Sequence, residues 1–566
     1  MNRHPITNAL AALVVSTLAA CAGRAGVSAS GSGAAVNPRS TSAAISAADL
    51  RVRLTALAHD SMMGRMTGEA GSHVATAYIA SEFQRLGLEP AGENGTYFQT
   101  VPFFRLSADS ARINVDGMAL RPGDDFLPAS LRAAPRPMDR ATVVFGGYAG
   151  DTLSWPTAAE LAGRVVVLTL APNASGVRTR VRAGAIASHP RLARAAAVAI
   201  AQLDLFGAEQ VSSLRAGTLV NDTARTTSAP PLLFVTPAAA DRLLGAPAST
   251  LRPGATGRAV TGSLAASVSA LPYPARNVVA VLRGRDPLVN GQYVSLSAHS
   301  DHVGFDRSPV DHDSLRAFNR VVRPMGADSP PRAATAEESA RVQSILDSLR
   351  RVRPPRPDSI RNGADDDGSG TVSLLEIAEA MAARPGRPRR SILFVSHTAE
   401  EVGLVGSRWF TDHPTVPRDS IVAEIDQDMI GRGNADDAPG GGPAYLEVVG
   451  ARRLSTQFGD LLEAASARQA SPFLFNYSFD APGHPQQYYC RADHFSYARY
   501  GIPSVSLSRG LHLDYHQVTD EAEYIDYDVL ARVSRLVMDA MLSVAELDRP
   551  VALDKPRGNP LEPCRQ

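Results

Sequence analysis

The chain has 566 residues, which is too long for one ordinary domain and predicts two or three folding units. Its hydrophobic fraction of 44% and its charged fraction of 20% are typical of a globular protein rather than a disordered or multispan chain. Lys plus Arg (57) balance Asp plus Glu (57), so the chain lacks the basic surplus that nucleic-acid binding favours.

The N-terminal residues have the pattern of a bacterial export signal. The apolar run Ala9–Ala20 is too short to span a bilayer and ends directly before Cys21, in a sequence that resembles a lipobox. This pattern predicts a signal peptide over residues 1–20 and a lipid on Cys21. The lipid would anchor the protein to the bacterial cell envelope, facing the periplasm or the exterior. An ordinary signal peptide followed by an incidental cysteine is the alternative.

A flexible tether is predicted for residues 21–45, which are rich in Ala, Gly and Ser. Beyond it the chain has two further cysteines, Cys490 and Cys564. They are too few for a disulfide framework or a thiolate zinc site, although they could pair in an oxidising compartment. The sequence leaves that pairing open.

The next two segments differ in the spacing of their apolar residues. Residues 46–124 begin with Leu50, Leu54 and Leu57 at helical spacing. Residues 125–262 contain short apolar runs between Gly and Pro, which predict a β-rich segment. Three of these runs resemble strands of a protease-associated domain: Gly163–Val167, Ala195–Ala199 and Pro231–Val235. The resemblance implies that such a domain is inserted here.

Residues 263–548 alternate predicted strands with predicted helices, and residues 549–566 follow as a tail. This alternation predicts an α/β fold with a mostly parallel mixed sheet flanked by helices. Residues 306–361, rich in Pro, Arg and Ser, interrupt the pattern and predict either a lid beside the site or a flexible loop. The predicted strands are Asn277–Leu282, Tyr293–Ser297, Ile392–Ser396, Ile421–Ile425 and Ser504–Ser508, and the clearest predicted helix is Gly370–Ala383.

Histidines and carboxylates are concentrated in five short segments at predicted strand ends or loops: Ala298–His302, Asn362–Gly370, Glu400–Glu401, Asp426–Gly431 and His512–His516. Ligands of such sheets bind where the parallel strands end. Each segment alone has another interpretation, such as a structural histidine, a solvated acidic turn or a calcium loop. Together, histidine nitrogens and carboxylate oxygens without a thiolate suit two zinc ions joined by a shared carboxylate.

The five segments resemble metallopeptidase family twenty-eight, which comprises dizinc aminopeptidases and their relatives. The resemblance covers residues 48–105 and 270–540, and it includes the motifs Gly64–Gly68, Ala492–Phe495 and Gly501–Pro503. It implies a dizinc exopeptidase core, with residues 46–124 as the N-terminal part of the peptidase domain and residues 263–548 as the rest. Residues 125–262 would then interrupt this core.

The resemblance also implies a role for each residue of the site. Two Zn²⁺ ions would be the cofactors, bridged by Asp366, with a cis peptide bond between Asp366 and Asp367. Glu400 would be the general base and acid, and Asp301 would orient His299. Tyr515 would help to stabilise the oxyanion. The further metal ligands would be His299, Glu401, Asp428 and His516.

The predicted activity is removal of N-terminal residues from peptides by a metal-activated water. Peptides and, through Cys21, a membrane are the predicted partners, and nucleic acid is not. A carboxypeptidase on the same core is one alternative, because Arg432, Arg491 and Arg509 are candidates to bind a substrate carboxylate. A non-catalytic binding protein is another alternative, but such proteins lose ligands and none is missing here.

Overall fold

The computed structural model describes residues 41–566, except residues 225–228, 435–436 and 438–439 and the side chains of Glu209 and Arg307. The predicted signal peptide, Cys21 and the first part of the tether therefore lie outside the described residues. In the described part of the chain, no helix combines the length and the apolar character needed to cross a membrane.

Two helices open the described chain and are followed by two edge strands: α1 (Ala47–Leu57), α2 (Ala70–Arg85), β1 (Glu89–Pro90) and β2 (Phe98–Val101). The helix predicted from Leu50, Leu54 and Leu57 is confirmed, since α1 buries all three side chains. Ser46 caps this helix, because its hydroxyl accepts the N–H of Asp49 at 3.0 Å.

The following segment builds two sheets of eight and three strands. The eight-stranded sheet has parallel central strands and antiparallel edges, and apolar side chains cover both of its faces. The segment is rich in strands, as predicted. Its assignment to the protease-associated class and the domain boundaries stay predictions. Its elements are β3 (Phe104–Ser107), β4 (Arg112–Val115), β5 (Met118–Ala119), β6 (Phe126–Pro128), β7 (Met138–Tyr148), α3 (Ala158–Leu161), β8 (Val165–Thr169), α4 (Ala183–Ala187), β9 (Ala197–Ala201), α5 (Ala208–Ala216), β10 (Thr218–Val220), β11 (Leu232–Val235), α6 (Pro237–Leu244), β12 (Thr256–Ser263) and β13 (Ser267–Ala270).

The rest of the chain completes the large sheet and its helices. Each strand predicted here from the sequence forms in the structure, with ends that differ by up to two residues. The elements are β14 (Ala275–Leu282), β15 (Tyr293–His299), β16 (Phe305–Asp311), α7 (His312–Val322), α8 (Ala336–Arg350), β17 (Pro357–Ile360), α9 (Gly370–Ala383), β18 (Ser391–His397), α10 (Val405–Asp412), β19 (Ile421–Gln427), β20 (Tyr445–Val449), α11 (Thr456–Ala467), β21 (Leu474–Asn476), α12 (His494–Ala498), β22 (Ser504–Ser508) and α13 (Tyr527–Ala545).

The large sheet has nine strands in the order β1-β14-β18-β15-β19-β22-β20-β21, with β2 also paired to β14. Its four central strands, β18, β15, β19 and β22, run parallel to one another. Strands β14 and β20 pair antiparallel with the outer members of this group. The predicted α/β fold with a mixed sheet is confirmed, and its parallel part carries the strand ends at which the site was expected.

Both faces of the large sheet are buried. Val278 and Phe394 pack on one face with apolar side chains of α1, α2, α9 and α13. Their strand neighbours Val279 and Val395 pack on the other face with Phe410 of α10. Because successive side chains of a strand point to opposite faces, double burial produces the continuous apolar runs seen in the sequence.

The segment 306–361 is folded, so of the two alternatives left open by the sequence the flexible loop is wrong. Strands β16 and β17 pair antiparallel at its base, and helices α7 and α8 pack against each other. Asp313, which is 1% exposed, joins these elements through ion pairs with three arginines: Arg350 (3.0 Å), Arg353 (2.6 Å) and Arg356 (3.0 Å).

Cys490 and Cys564 form a disulfide bond across a sequence separation of 74 residues. This bond fixes the C-terminal tail to the turn at Tyr488–Cys490. The terminal residue reinforces the attachment, because the backbone N–H of Gly483 donates to the Gln566 carbonyl at 2.9 Å and the backbone N–H of Tyr489 donates to its Oε1 at 2.9 Å.

We expect the Cys564→Ser variant to lower the free energy of unfolding by about 2–4 kcal/mol, because it releases a long closed loop in the unfolded chain. Chemical denaturation with and without reductant measures this loss. The double variant C490S/C564S is the control, since reductant should leave it unchanged. An equal midpoint for the wild type in oxidised and reduced form would contradict the expectation.

Candidate metal centre

The predicted site residues meet at the carboxyl ends of the four parallel strands. His299 is the last residue of β15, and Asp428 directly follows β19. Glu400 and Glu401 lie in the turn after β18, and Asp366 lies in the turn that leads into α9. His516 comes from the loop that follows β22. The topology thus collects side chains that are far apart in the sequence.

Two groups of side chains have donor atoms close enough together to hold a metal ion. The first group contains His299, Asp366 and Asp428, and the second contains His302, Asp366, Glu401 and His516. In the second group, Nε2 of His516 lies 2.9 Å from an oxygen of Asp366 and 2.9 Å from Oε2 of Glu401. All five ligands expected from the sequence belong to one or both groups.

Asp366 is shared by the two groups, and its two oxygens face different partners. Oδ1 lies 3.3 Å from Nε2 of His299, whereas Oδ2 lies 2.9 Å from Nε2 of His516. Burial opposes ionisation of this carboxyl, but hydrogen bonds from His299 and His516 hold its pKa well below its usual range. An ionised carboxylate with one oxygen toward each group has the arrangement that a bridging ligand requires.

The two neighbouring aspartates bind backbone N–H groups instead. Oδ1 of Asp365 accepts the N–H of Gly431 at 2.7 Å. Asp367 accepts from His299 at 3.1 Å, from Met429 at 3.2 Å and from Gly370 at 2.9 Å. The peptide bond between Asp366 and Asp367 is cis, as expected. Three consecutive carboxylates therefore divide between the metal groups and the backbone around them.

The orientation of His299 differs from the expectation. Its Nδ1 lies 3.1 Å from the backbone carbonyl of Asp301, while the carboxylate of Asp301 is 3.7 Å away. That carboxylate instead accepts the backbone N–H of Glu400 at 3.2 Å and the hydroxyl of Thr67 at 2.9 Å. Asp301 thus orients His299 through its main chain and positions Glu400 through its side chain.

His302 also belongs to the second group, although the sequence did not indicate a role for this histidine. Its Nδ1 lies 2.8 Å from Oε1 of Glu401, and His516 contacts the other oxygen of the same carboxylate. The two histidines thereby fix both oxygens of Glu401. The position of His302 three residues after His299, in the loop that follows β15, was the available signal.

Arg65, from the motif Gly64–Gly68, ties two loops of the site together. The fully buried guanidinium donates to the carbonyl of Ser300 at 2.9 Å, of Asn362 at 2.5 Å and of Gly363 at 2.8 Å. The first carbonyl belongs to the loop after β15, and the other two precede the turn of Asp366. The N-terminal segment therefore fixes the loop after β15 and the turn of Asp366 relative to each other.

A cavity of about 350 Å³ opens beside the two groups. Five of the site residues line it: Asp366, Glu400, Glu401, Asp428 and His516. Tyr515 also lines the cavity, and its ring stacks on His516 with 4.0 Å between ring centroids. Burial raises the pKa of Glu400 well above its usual range. The nearby His299 lowers this pKa, whereas the negative charge of Glu401 raises it further. A bound cation would favour the ionised form of Glu400.

The three arginines considered as carboxylate binders have different environments. Arg432 and Arg509 are buried, with Arg432 paired to Asp514 at 2.5 Å and Arg509 bound to backbone carbonyls such as that of Gly442 at 3.0 Å. Arg491 lines the cavity, but Asp328 pairs with it at 2.9 Å. Each of them therefore already has an acceptor within the protein.

Residues 277–541, a little less than half of the chain, match the family model described as peptidase family M28. The match includes both ligand groups and Glu400. The resemblance to this family that the sequence motifs indicated is confirmed for this segment.

Two relatives and two solved structures illustrate the similarity. Leucine aminopeptidase 1 of Coccidioides posadasii is 30% identical over 191 residues, which are 31% of this chain and 45% of the relative. Leucine aminopeptidase 1 of Paracoccidioides brasiliensis is 29% identical over 194 residues, 32% of this chain and 46% of the relative. The chain thus spans less than half the length of these relatives. An aminopeptidase from Aneurinibacillus sp. strain AM-1 aligns over 91% of this chain and 98% of its own (TM-score 0.46, 17% identity), and a zinc aminopeptidase from Bacillus subtilis over 88% and 95% (TM-score 0.46, 16% identity).

We expect Asp301→Ala to lower the free energy of unfolding by about 1–3 kcal/mol, because it leaves the N–H of Glu400 and the buried hydroxyl of Thr67 without their acceptor. The variant should retain bound metal, since the backbone carbonyl that contacts His299 remains. Thermal unfolding and metal analysis of the same samples measure both effects. Loss of metal at unchanged stability would show that the Asp301 side chain orients His299.

Proposed function

We propose that this protein is a zinc-dependent aminopeptidase that hydrolyses N-terminal residues from peptides. The observation that carries the proposal is the shared carboxylate of Asp366, which joins two ligand groups on the wall of a cavity that Glu400 also lines. The match of residues 277–541 to peptidase family M28 and the leucine aminopeptidase names of two relatives support it.

The residues of the two groups fit a pair of zinc ions. Their donors are histidine nitrogens and carboxylate oxygens, which zinc accepts, and the shared carboxylate of Asp366 is buried with one oxygen toward each group. We assign one ion to His299, Asp366 and Asp428. We assign the other to Asp366, Glu401 and His516, with His302 contacting Glu401. Bound zinc would lower the pKa of a water molecule and polarise the scissile carbonyl.

The protein groups then move the proton and position the substrate. Glu400 accepts the proton of the attacking water and returns it to the leaving amine. Its backbone N–H donates to the carboxylate of Asp301, which fixes the turn from which Glu400 lines the cavity. The Tyr515 hydroxyl is the protein donor we assign to the oxyanion, because this ring lines the cavity beside His516.

A free substrate amine suits this cavity better than a free carboxylate does. Asp428, Glu400 and Glu401 line the wall at the metal groups and attract an ammonium group. Arg491, which also lines the cavity, is neutralised by Asp328. The arrangement therefore favours an aminopeptidase over a carboxypeptidase.

The position of the protein in the cell is part of the same proposal. We infer that residues 1–20 are a signal peptide and that a lipid on Cys21 anchors the protein to the cell envelope, with residues 125–262 as a protease-associated domain. The lipobox-like sequence and the strand-rich segment support these two assignments. A disulfide between Cys490 and Cys564 agrees with an oxidising compartment.

Glu400→Gln should retain both metal ions and lose activity by about 10²- to 10⁴-fold, because the amide cannot accept the water proton. Hydrolysis of leucine p-nitroanilide and metal analysis measure the two effects. Glu401→Gln is the matched control at the adjacent residue, and it should lose metal. Full activity in Glu400→Gln would remove this residue from the mechanism.

We expect the purified protein to bind about two zinc ions per chain, because two ligand groups share one carboxylate. Dialysis against a chelator should abolish hydrolysis, and added zinc should restore it. His516→Ala should reduce the metal content to about one ion per chain, since it removes a ligand of one group only. A wild-type content of one ion would contradict the dizinc assignment.

Hydrolysis of an N-acetylated peptide from its C-terminus, with leucine p-nitroanilide left intact, would replace the aminopeptidase proposal by a carboxypeptidase. Saturation with zinc without hydrolysis of any peptide would instead favour a binding protein.

A further inference from the structure

Two antiparallel strands, β20 and β22, form a further part of the cavity lining. Glu447 pairs with Ser508 and Val449 pairs with Ser506, so these four side chains share one face of the sheet, and all four line the cavity. The alternate residues of the same strands, such as Val448 and Leu507, pack in the core behind them. On the face toward the cavity, the carboxyl of Glu447 therefore lies among serine and valine side chains.

The carboxyl of Glu447 is held in a defined position. The hydroxyl of Tyr445 donates to its Oε1 at 2.6 Å, and the amide of Asn476 donates to that hydroxyl at 3.0 Å. Gly510 provides the space, because a Cβ atom at this residue would lie 2.6 Å from the same oxygen, and its φ of +91° also favours glycine. Glu447 is 5% exposed. A side chain fixed in this way is part of a built site.

Glu447 has no cationic partner in the part of the chain that the structure describes. Among the described residues, the hydrogen bond to its carboxyl comes from the neutral hydroxyl of Tyr445, which donates to Oε1. Burial raises the pKa of Glu447 to about 7, against the effect of the Tyr445 hydrogen bond. Arg491 of the same cavity is paired with Asp328 at 2.9 Å. The cavity therefore offers a carboxyl that a ligand can neutralise.

We propose that Glu447 selects substrates whose N-terminal residue is Lys or Arg, by pairing with the cationic end of that side chain. This inference rests on the proposed aminopeptidase activity. The metal groups hold the α-amine end of the residue, and the side chain extends through the cavity to Glu447.

The binding free energy of a Lys or Arg side chain at Glu447 is expected to be favourable. Burial has already removed much of the hydration of Glu447, so a bound cation loses its own hydration, favours the ionised carboxylate and gains a charge-assisted hydrogen bond. The methylene stem of Lys or Arg packs against apolar residues of the cavity lining, namely Val449, Met429 and Leu404. A neutral side chain of the same length makes the apolar contacts but leaves the carboxyl unpaired.

Lysine and norleucine p-nitroanilides test the proposal, because the two side chains share the same methylene stem and differ in the ε-ammonium group. With the zinc-loaded full chain, we expect kcat/KM to be about 10- to 100-fold higher for lysine than for norleucine. In Glu447→Gln this ratio should fall to about one, while norleucine hydrolysis continues. Glu463→Gln, an exposed glutamate of α11 outside the cavity lining, is the matched control and should keep the wild-type ratio.

Each outcome decides between the two proposals. A wild-type ratio near one, or a lysine preference that persists in Glu447→Gln, would overturn the role of Glu447 and leave the aminopeptidase proposal intact. Hydrolysis of neither anilide, nor of the leucine compound, would overturn the aminopeptidase activity and the inference that rests on it. The wild-type ratio does not depend on how well the variant folds.

Discussion

The concentration of buried carboxylates at the ends of four parallel strands is the constraint on which the rest of the structure depends. Asp365, Asp366 and Asp367 are each at most 3% exposed, and Glu400, Glu401 and Asp428 lie beside them. Buried negative charges repel one another unless cations or hydrogen-bond donors compensate. Backbone N–H groups donate to Oδ1 of Asp365 and to both oxygens of Asp367. Oδ2 of Asp365 faces Nε2 of His512 at 3.2 Å, and histidines contact Asp366. What remains is the charge that metal ions are proposed to balance.

The surrounding segments serve this arrangement by fixing the loops that carry it. Arg65 joins the loop after His299 to the turn of Asp366. The folded insertion holds the loop of His516, because Asn319 donates to the carbonyl of Leu513 at 3.0 Å and Ala327 donates to that of Tyr515 at 3.0 Å. A ligand on a long loop is thereby given a defined position, which a precise metal site requires.

Much of the fold and most of the candidate site could be predicted from the sequence. The apolar runs marked the central strands, because strands buried on both faces are apolar at every position. The ligand types at strand ends indicated the metal groups that the structure assembles. The state of the insertion could not be predicted, since its order comes from ion pairs around Asp313 with residues about forty positions away. The contact of His299 with a backbone carbonyl, rather than the Asp301 carboxylate, depends on the local chain path, which sequence spacing does not define.

The sequence by itself determined the class of sheet, the ligand types and the acidic pair Glu400–Glu401, because periodicity and residue chemistry are local properties. Only the tertiary structure decided that Asp366 turns one oxygen to each ligand group, that His302 contacts Glu401 and that Cys490 bonds to Cys564. It also placed Glu447 in the lining of the same cavity as the metal groups, through the pairing of β20 with β22. These relations join residues distant in the chain, and distances between such residues are set by strand order and packing.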